Sequence, residues 1–154
     1  MKNLFLAFCL LAFSTTATAQ FEIKSNPIAL LFEVGAVSME YSNLKDWGGQ
    51  LDIYAAEDGG VVFGSAKYYL IPKYGADRFH VGAFVSQPFD GDRLGIGFLI
   101  GYKLVSKKRI VFEVGIGAGR LLGDNSSFDV TGYGILNIGY RFLSAKNKSK
   151  VFVN

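Results

Sequence analysis

The feature that most constrains this chain is a two-residue period. After Gln20, apolar residues alternate with polar residues or glycine in segments of about ten residues, and no comparable stretch keeps a helical period. Leu94, Ile96, Phe98, Ile100, Tyr102 and Leu104 share one parity, and Arg93, Gly95, Gly97, Gly101 and Lys103 share the other. The same split sets Phe112, Val114, Ile116 and Ala118 against Glu113, Gly115, Gly117 and Gly119, and Leu136, Ile138, Tyr140 and Phe142 against Asn137, Gly139 and Arg141. Successive side chains of an extended chain point to opposite faces, so each segment reads as a strand with one greasy face.

Turn residues divide the pattern into eight predicted strands at 21–32, 36–42, 47–56, 61–71, 79–86, 93–104, 110–121 and 130–142. Pro27 interrupts the first, and reading 21–42 as one long strand would leave seven. The 154 residues suit one domain, and 19 Gly, 14 Phe and 8 Tyr against only 3 Pro suit short strands and tight turns. The net charge of +3 is dispersed, without the basic stripe that tracks a phosphate backbone, so nucleic acid is excluded as an expected partner.

Residues 1–19 carry a secretory pattern: Lys2, an apolar run from Leu4 to Phe13, and the small residues Ala17, Thr18 and Ala19 before Gln20. The expected organisation is a cleaved signal peptide at 1–19, a barrel at 20–142 and a basic tail at 143–154 containing Lys146, Lys148 and Lys150. Cys9, the only cysteine, lies in the apolar run, so cleavage leaves neither a disulfide nor a thiolate nucleophile.

Alternation alone does not say which face is inside. A lipocalin-type barrel buries its apolar face; a membrane barrel turns it to lipid. The polar parity mixes glycines with charges of both signs: Lys24, Glu40, Asp52, Lys67, Arg93, Lys103, Glu113 and Arg141, with His80 on the same side. Such a set can pair inside a lumen that eight strands leave just wide enough to fill. Trp47, Tyr68, Tyr69, Phe79, Tyr102, Tyr140 and Phe142 gather at strand ends, as interfacial girdles require.

The ending Gly139, Tyr140, Arg141, Phe142 resembles the insertion signal of outer-membrane barrels. With Asn26, Pro27 and Ile28 through Glu40 and Tyr41, and the Gly-bearing strands, residues 21–142 resemble the small eight-stranded families related to OmpA and OmpX, and more narrowly an uncharacterised outer-membrane β-barrel family. The resemblance implies an all-β, antiparallel up-and-down eight-stranded transmembrane β-barrel of a Gram-negative envelope. Gly139, Tyr140 and Phe142 would then act as the insertion signal. Lipid, lipopolysaccharide, the barrel-insertion machinery and other envelope proteins would be the partners. With the N-terminus in the periplasm, the loops at 33–35, 57–60, 87–92 and 122–129 face outward, bearing Glu33, Glu57, Asp58, Asp90, Asp92, Asp124 and Asp129. The opposite turns carry Lys45, Lys73, Lys107, Lys108 and Arg109. An acidic rim reads either as a solvated edge or as carboxylates for divalent cations bridging to lipopolysaccharide phosphates.

Some outer-membrane barrels of this size modify lipid A through a His with a Ser and a carboxylate. His80, the only His, is expected in the lumen near the periplasmic end, away from the outer leaflet, with Ser65 and Ser86 as the candidate nucleophiles. Gly115, Gly117 and Gly119 with Arg120 are not a phosphate loop, because they alternate within a strand. Asp90 to Asp92 and Asp124 to Ser126 lack the spacing of a calcium loop. The expectation is a barrel without catalysis, cofactor or metal, structural, adhesive or accessory in role. A secreted barrel holding a small apolar ligand and a lipid-modifying enzyme are the alternatives.

Overall fold

A computed structural model of the chain describes residues 19–43, 45–91, 93–123 and 129–143. Most of the expected signal peptide (1–18) and tail (144–154) lie outside the described residues, as do Asp92 and Asp124. The described residues form β1 (Ala19–Ser25), a one-turn helix α1 (Pro27–Leu31), β2 (Gly35–Asn43), β3 (Trp47–Ala56), β4 (Gly59–Tyr69), β5 (Arg78–Pro88), β6 (Leu94–Val105), β7 (Ile110–Leu122) and β8 (Val130–Leu143). Each strand pairs antiparallel with the next, and β8 pairs with β1 to close a barrel. The third expected strand coincides with β3, and the later ones and β2 agree to within two residues at each end.

The first expected strand, 21–32, is too long. β1 stops at Ser25 because Asn26 turns its side-chain oxygen back to the backbone N–H groups of Ile28 and Ala29, both at 3.0 Å, and Pro27 has no N–H to continue the ladder. The local capping chemistry overrides the apolar pattern of the following residues. It also separates β1 from β2, so the strands number eight. Above Ser25 the β1–β8 pairing ends at Ile138, and residues 130–137 of β8 have a strand neighbour only in β7. The helix packs into this gap against β2 and β8, and the Tyr54 hydroxyl donates to the Gly134 carbonyl at 3.3 Å.

The pairing also sets the tilt. Stepping through register partners from Ile23 to Met39, Leu51, Gly64, Val85, Ile96, Arg120 and Val130 meets β8 ten residues before Tyr140, the partner of Ile23 across the closing seam. For eight strands a stagger of ten residues corresponds to a strand tilt of about 43°. Each residue then rises about 2.4 Å along the barrel axis, and each step to the next strand about 3 Å.

Burial settles which face is inside. Gln20, Glu22, Lys24, Ser38, Glu40, Gln50, Asp52, Lys67, His80, Lys103, Glu113, Asn137 and Arg141 are buried, whereas Phe21, Ile23, Val37, Tyr41, Leu51, Ile96, Phe98, Ile100, Ile116 and Ile138 are exposed. The polar parity lines the lumen and the greasy parity forms the outer wall.

Glycines make room for this lumen. A Cβ on Gly139 would stand 2.6 Å from both Cα and Cγ of Lys24, and it would also meet the Ile23 carbonyl across the closing seam. A Cβ on Gly134, in the same strand but facing outward, meets nothing within 4 Å. Gly139→Val is therefore expected to cost about 1–3 kcal/mol by overpacking, and Gly134→Ala less than about 0.5 kcal/mol. Circular-dichroism melting of the two folded variants beside the parent chain checks both expectations.

Candidate functional site

The candidate site is the interior of the barrel, which falls into two layers. Around the end where β1 begins and β8 finishes, called here the lower end, four cations (Lys24, Lys67, Lys103 and Arg141) and four carboxylates (Glu22, Glu40, Asp52 and Glu113) are buried on the strands. Period-2 geometry accounts for their convergence. Glu22 and Lys24 share a face of β1, and the register sets Glu22 opposite both Glu40 and Arg141, Lys103 opposite Glu113, and Glu40 opposite Gln50.

The bonding saturates the charges. Lys24 Nζ donates to Glu40 Oε2 at 2.7 Å, Gln50 Oε1 at 2.5 Å and Glu113 Oε2 at 2.5 Å, which uses all three ammonium protons. Lys67 reaches Glu113, Gln50 at 2.5 Å and Glu40 at 3.4 Å. Lys103 donates to Glu40 Oε1 at 2.5 Å and Glu22 at 3.1 Å, with its ammonium 4.6 Å from the Tyr69 ring centroid. Glu40 is the hub, accepting from three lysines and from the Tyr69 hydroxyl at 2.6 Å. Gly48 clears its space, since a Cβ there would come within 2.8 Å of Glu40 Oε1.

Below the hub, Arg141 shuts the barrel. Its Nε donates to Glu22 at 2.7 Å, while Nη1 and Nη2 donate to the carbonyls of Tyr74 at 2.7 Å and Ala76 at 2.6 Å. The β4–β5 turn is thereby drawn beneath the lumen. Asp77 braces that turn by accepting from the backbone N–H groups of Lys73 and Tyr74, and Ala76 and Asp77 are buried.

The upper layer is apolar. Phe63, Phe84, Leu99, Tyr133 and Ile135 pack together, with Phe63 and Tyr133 stacked at 4.4 Å and Tyr54 edge-on to Phe63 at 5.9 Å. Asp52 joins the layers, accepting from Ser38, from the Tyr133 hydroxyl and from Gln50 Nε2 at 2.7 Å. A lumen filled in this way is a core, not a pore.

Of the residues expected in the lumen, Lys24, Glu40, Asp52, Lys67, His80, Lys103, Glu113 and Arg141 are there; Arg93 is not. It lies just before β6, its side chain is 53 % exposed, and it pairs with Asp129 at the upper rim. The expected strand began one residue too early, and a residue outside the ladder is not bound to its parity. Tyr69 is corrected in the opposite sense: assigned to the outer girdle, it is fully buried on the parity of Lys67. Glu22, Gln50, Phe63, Phe84, Leu99, Tyr133 and Ile135 were missed. Each was detectable, because each shares a strand and a parity with a residue that was found.

His80 is buried, with Nε2 3.4 Å from Glu113 Oε1 and its ring 5.1 Å from that of Tyr69. Neither candidate serine bonds to it: Ser65 Oγ has no partner, and Ser86 lies six residues up the same strand, about 14 Å higher. A general base needs its nucleophile within hydrogen-bond reach. Glu33, Glu57, Asp58 and Asp90 are exposed at the upper end, and among the described residues no group of three or more His, Cys, Asp and Glu is placed to hold a metal ion. Comparison with family models, curated proteins and solved structures finds no match.

The bonding pattern predicts unequal costs for breaking ion pairs. Lys24→Met strands three acceptors in a buried network and is expected to destabilise the fold by about 3–5 kcal/mol. Arg93→Ala, which removes the exposed pair with Asp129, is expected to cost no more than about 1 kcal/mol. Urea unfolding midpoints of the two variants provide the comparison.

Proposed function

We propose that this chain is a narrow, closed barrel spanning the outer membrane of a Gram-negative envelope, exported with a signal removed before Gln20, and structural, adhesive or accessory rather than enzymatic in role. The observation that carries this reading is the composition of the outer wall. Among the described residues, Arg120 is the only charged side chain that the eight strands turn outward. Every strand also turns out an aromatic near its lower end: Phe21, Tyr41, Trp47, Tyr68, Phe79, Tyr102, Phe112 and Tyr140. By the rise and stagger derived above, these eight lie within about 6 Å of one height along the axis. Phe142 sits just below and packs on Phe21 and Tyr140, and Trp47 packs on Tyr68 at 5.1 Å.

Five of the eight are Tyr or Trp, whose polar tips favour the boundary between hydrocarbon and water, so a level ring of this composition fits a bilayer interface. Above the ring the outward residues, Gln87 and Arg120 near the upper edge apart, stay apolar up to Leu94, Leu122 and Val130, about 20 to 25 Å higher. That matches the apolar band of about 25 Å expected of an outer-membrane barrel. A water-soluble protein of this size has no reason to expose such a continuous apolar belt. The likeness to small outer-membrane barrels agrees with this picture, and Gly139, Tyr140 and Phe142 stand in the last strand where an insertion signal belongs. Lipid, lipopolysaccharide, the insertion machinery and other envelope proteins are the partners on this reading. The apolar-ligand alternative needs the greasy face turned in, whereas that face is exposed; the lipid-modifying alternative through His80 needs Ser65 or Ser86 within its reach, and neither bonds to it.

Folding residues 20–154 with and without detergent micelles, followed by circular dichroism and by gels of heated and unheated samples, tests the reading. The expected result is β-structure with a heat-shifted band in micelles alone; cooperative folding in plain buffer would overturn it. Ile116→Arg sharpens the test. Ile116 is 68 % exposed and lies near mid-belt, so in lipid vesicles the change is expected to cost about 2–4 kcal/mol. On a water-facing surface it would cost within about 0.5 kcal/mol.

A further inference from the structure

The two ends of the barrel are unlike. The upper loops carry the exposed carboxylates Glu33, Glu57, Asp58 and Asp90. At the lower end, the turns that follow β2, β4 and β6 carry Lys45, Lys73, Lys107, Lys108 and Arg109, the four lysines exposed and the arginine half-buried. Among the described residues none of these five has a salt bridge, whereas Lys24, Lys67, Lys103 and Arg141 in the lumen are all paired. Lys73 holds its ammonium 5.3 Å from the Tyr74 ring centroid. The carboxylates on the same turns are otherwise engaged. Asp77 is buried and accepts from the backbone of Lys73 and Tyr74, and Asp46 accepts from the Asn43 amide at 3.4 Å. The backbone does not call for these cations: Arg109 has a left-handed φ of 68°, where glycine or asparagine sits with less strain than arginine.

Resting on the membrane-spanning reading, we propose that these turns form a cationic collar that gathers anionic phospholipids in the leaflet at the lower end. Height selects this partner. Lys45 stands two residues before Trp47 and Arg109 three before Phe112, which puts their backbones about 5 to 7 Å below the aromatic ring. The headgroup layer of a bilayer is about 5 to 8 Å thick on each side, so cations at that depth lie among lipid phosphates. Lysine and arginine stems are long enough to move their charges up or down within the layer. Three turns spread around the rim each supply at least one cation, so the collar offers several headgroup contacts and not one pocket. Cations without a protein partner attract a surface of net negative charge and gain little from a zwitterionic one. The acidic upper end repels the same lipids, and the asymmetry favours seating the lower end in the anionic leaflet.

Trp47, the only tryptophan, reports on this place, because it lies in the ring two residues from Lys45. The test uses vesicles of phosphatidylglycerol and phosphatidylcholine in equal amounts, with bromine near the headgroup end of the acyl chains of one lipid or of the other. Bromine quenches tryptophan fluorescence at short range, so the two labels read the lipid composition beside Trp47. At low salt the phosphatidylglycerol label is expected to quench more, corresponding to about fivefold enrichment of that lipid. The double variant Lys45→Gln/Lys73→Gln alters two exposed turn side chains and should bring the enrichment close to one. High salt should do the same to the parent chain, which decides the matter if the variant does not fold. Equal quenching by the two labels at low salt, or an enrichment that survives in the folded variant or at high salt, overturns the collar. A chain that inserts, with Trp47 quenched equally by both labels, loses only the collar. A chain that folds in buffer, with Trp47 quenched by neither, loses the membrane reading as well.

Discussion

Glu40 accepts hydrogen bonds from Lys24, Lys67, Lys103 and Tyr69, in a tube whose interior admits no solvent to any of them. An ion taken out of water costs several kcal/mol unless it is paired and its remaining donors and acceptors are bonded, and the rest of the interior follows from that requirement. Four cations face four carboxylates, Gln50 links two of the lysines, and the hub needs Gly48 opposite Ser42 and Gly139 opposite Lys24 to leave it space. Arg141 extends the same network to the β4–β5 turn, so the pairing that neutralises the lumen also closes its lower end. Removing one member would leave its partners charged and dry, which makes the cluster a single unit.

The charged layer occupies about the same height as the outer ring of aromatics, and the apolar layer around Phe63, Phe84 and Tyr133 lies above it. On the membrane-spanning reading, the buried ions then sit level with an interface and the middle of the barrel is filled with carbon. That arrangement keeps the ion pairs nearest to the polar boundary. The short β1 fits the same logic. Its ladder ends where Asn26 and Pro27 cap a helical turn, and α1 with its exposed Ile28, Leu30, Leu31 and Phe32 continues the greasy wall where the strand has stopped.

Much of the lumen was legible because parity is a strict rule inside a ladder. Eight of the nine residues expected there are found there, and those overlooked share a strand and a parity with a neighbour that was recognised. Glu22 shares its face with Lys24, Leu99 with Lys103, and Tyr133 and Ile135 with Arg141. The failures lie where the ladder ends. Arg93 stands one residue outside β6 and turns to Asp129 at the rim, and residues 26–32 keep an apolar composition while capping chemistry bends them into a helix. Tyr69 lies inside and not in the outer girdle, although an aromatic at a strand end suits an interface equally well in principle. Its parity already argued otherwise.

The sequence by itself determined that residues 20–142 are built mostly of strands, where all but the first begin and end to within two residues, and which residues share a face, because a period of two leaves a strand no other freedom; whether its first stretch is one strand or two it left open. It did not determine which face is inside, since a greasy-in and a greasy-out barrel have the same alternation. That was decided by closure. A ten-residue stagger brings Lys24, Glu40, Lys67 and Glu113 from four different strands to one height inside a narrow tube, where their charges cancel and their hydrogen bonds are met. Register and shear are relations between distant segments, with no signature in any one of them.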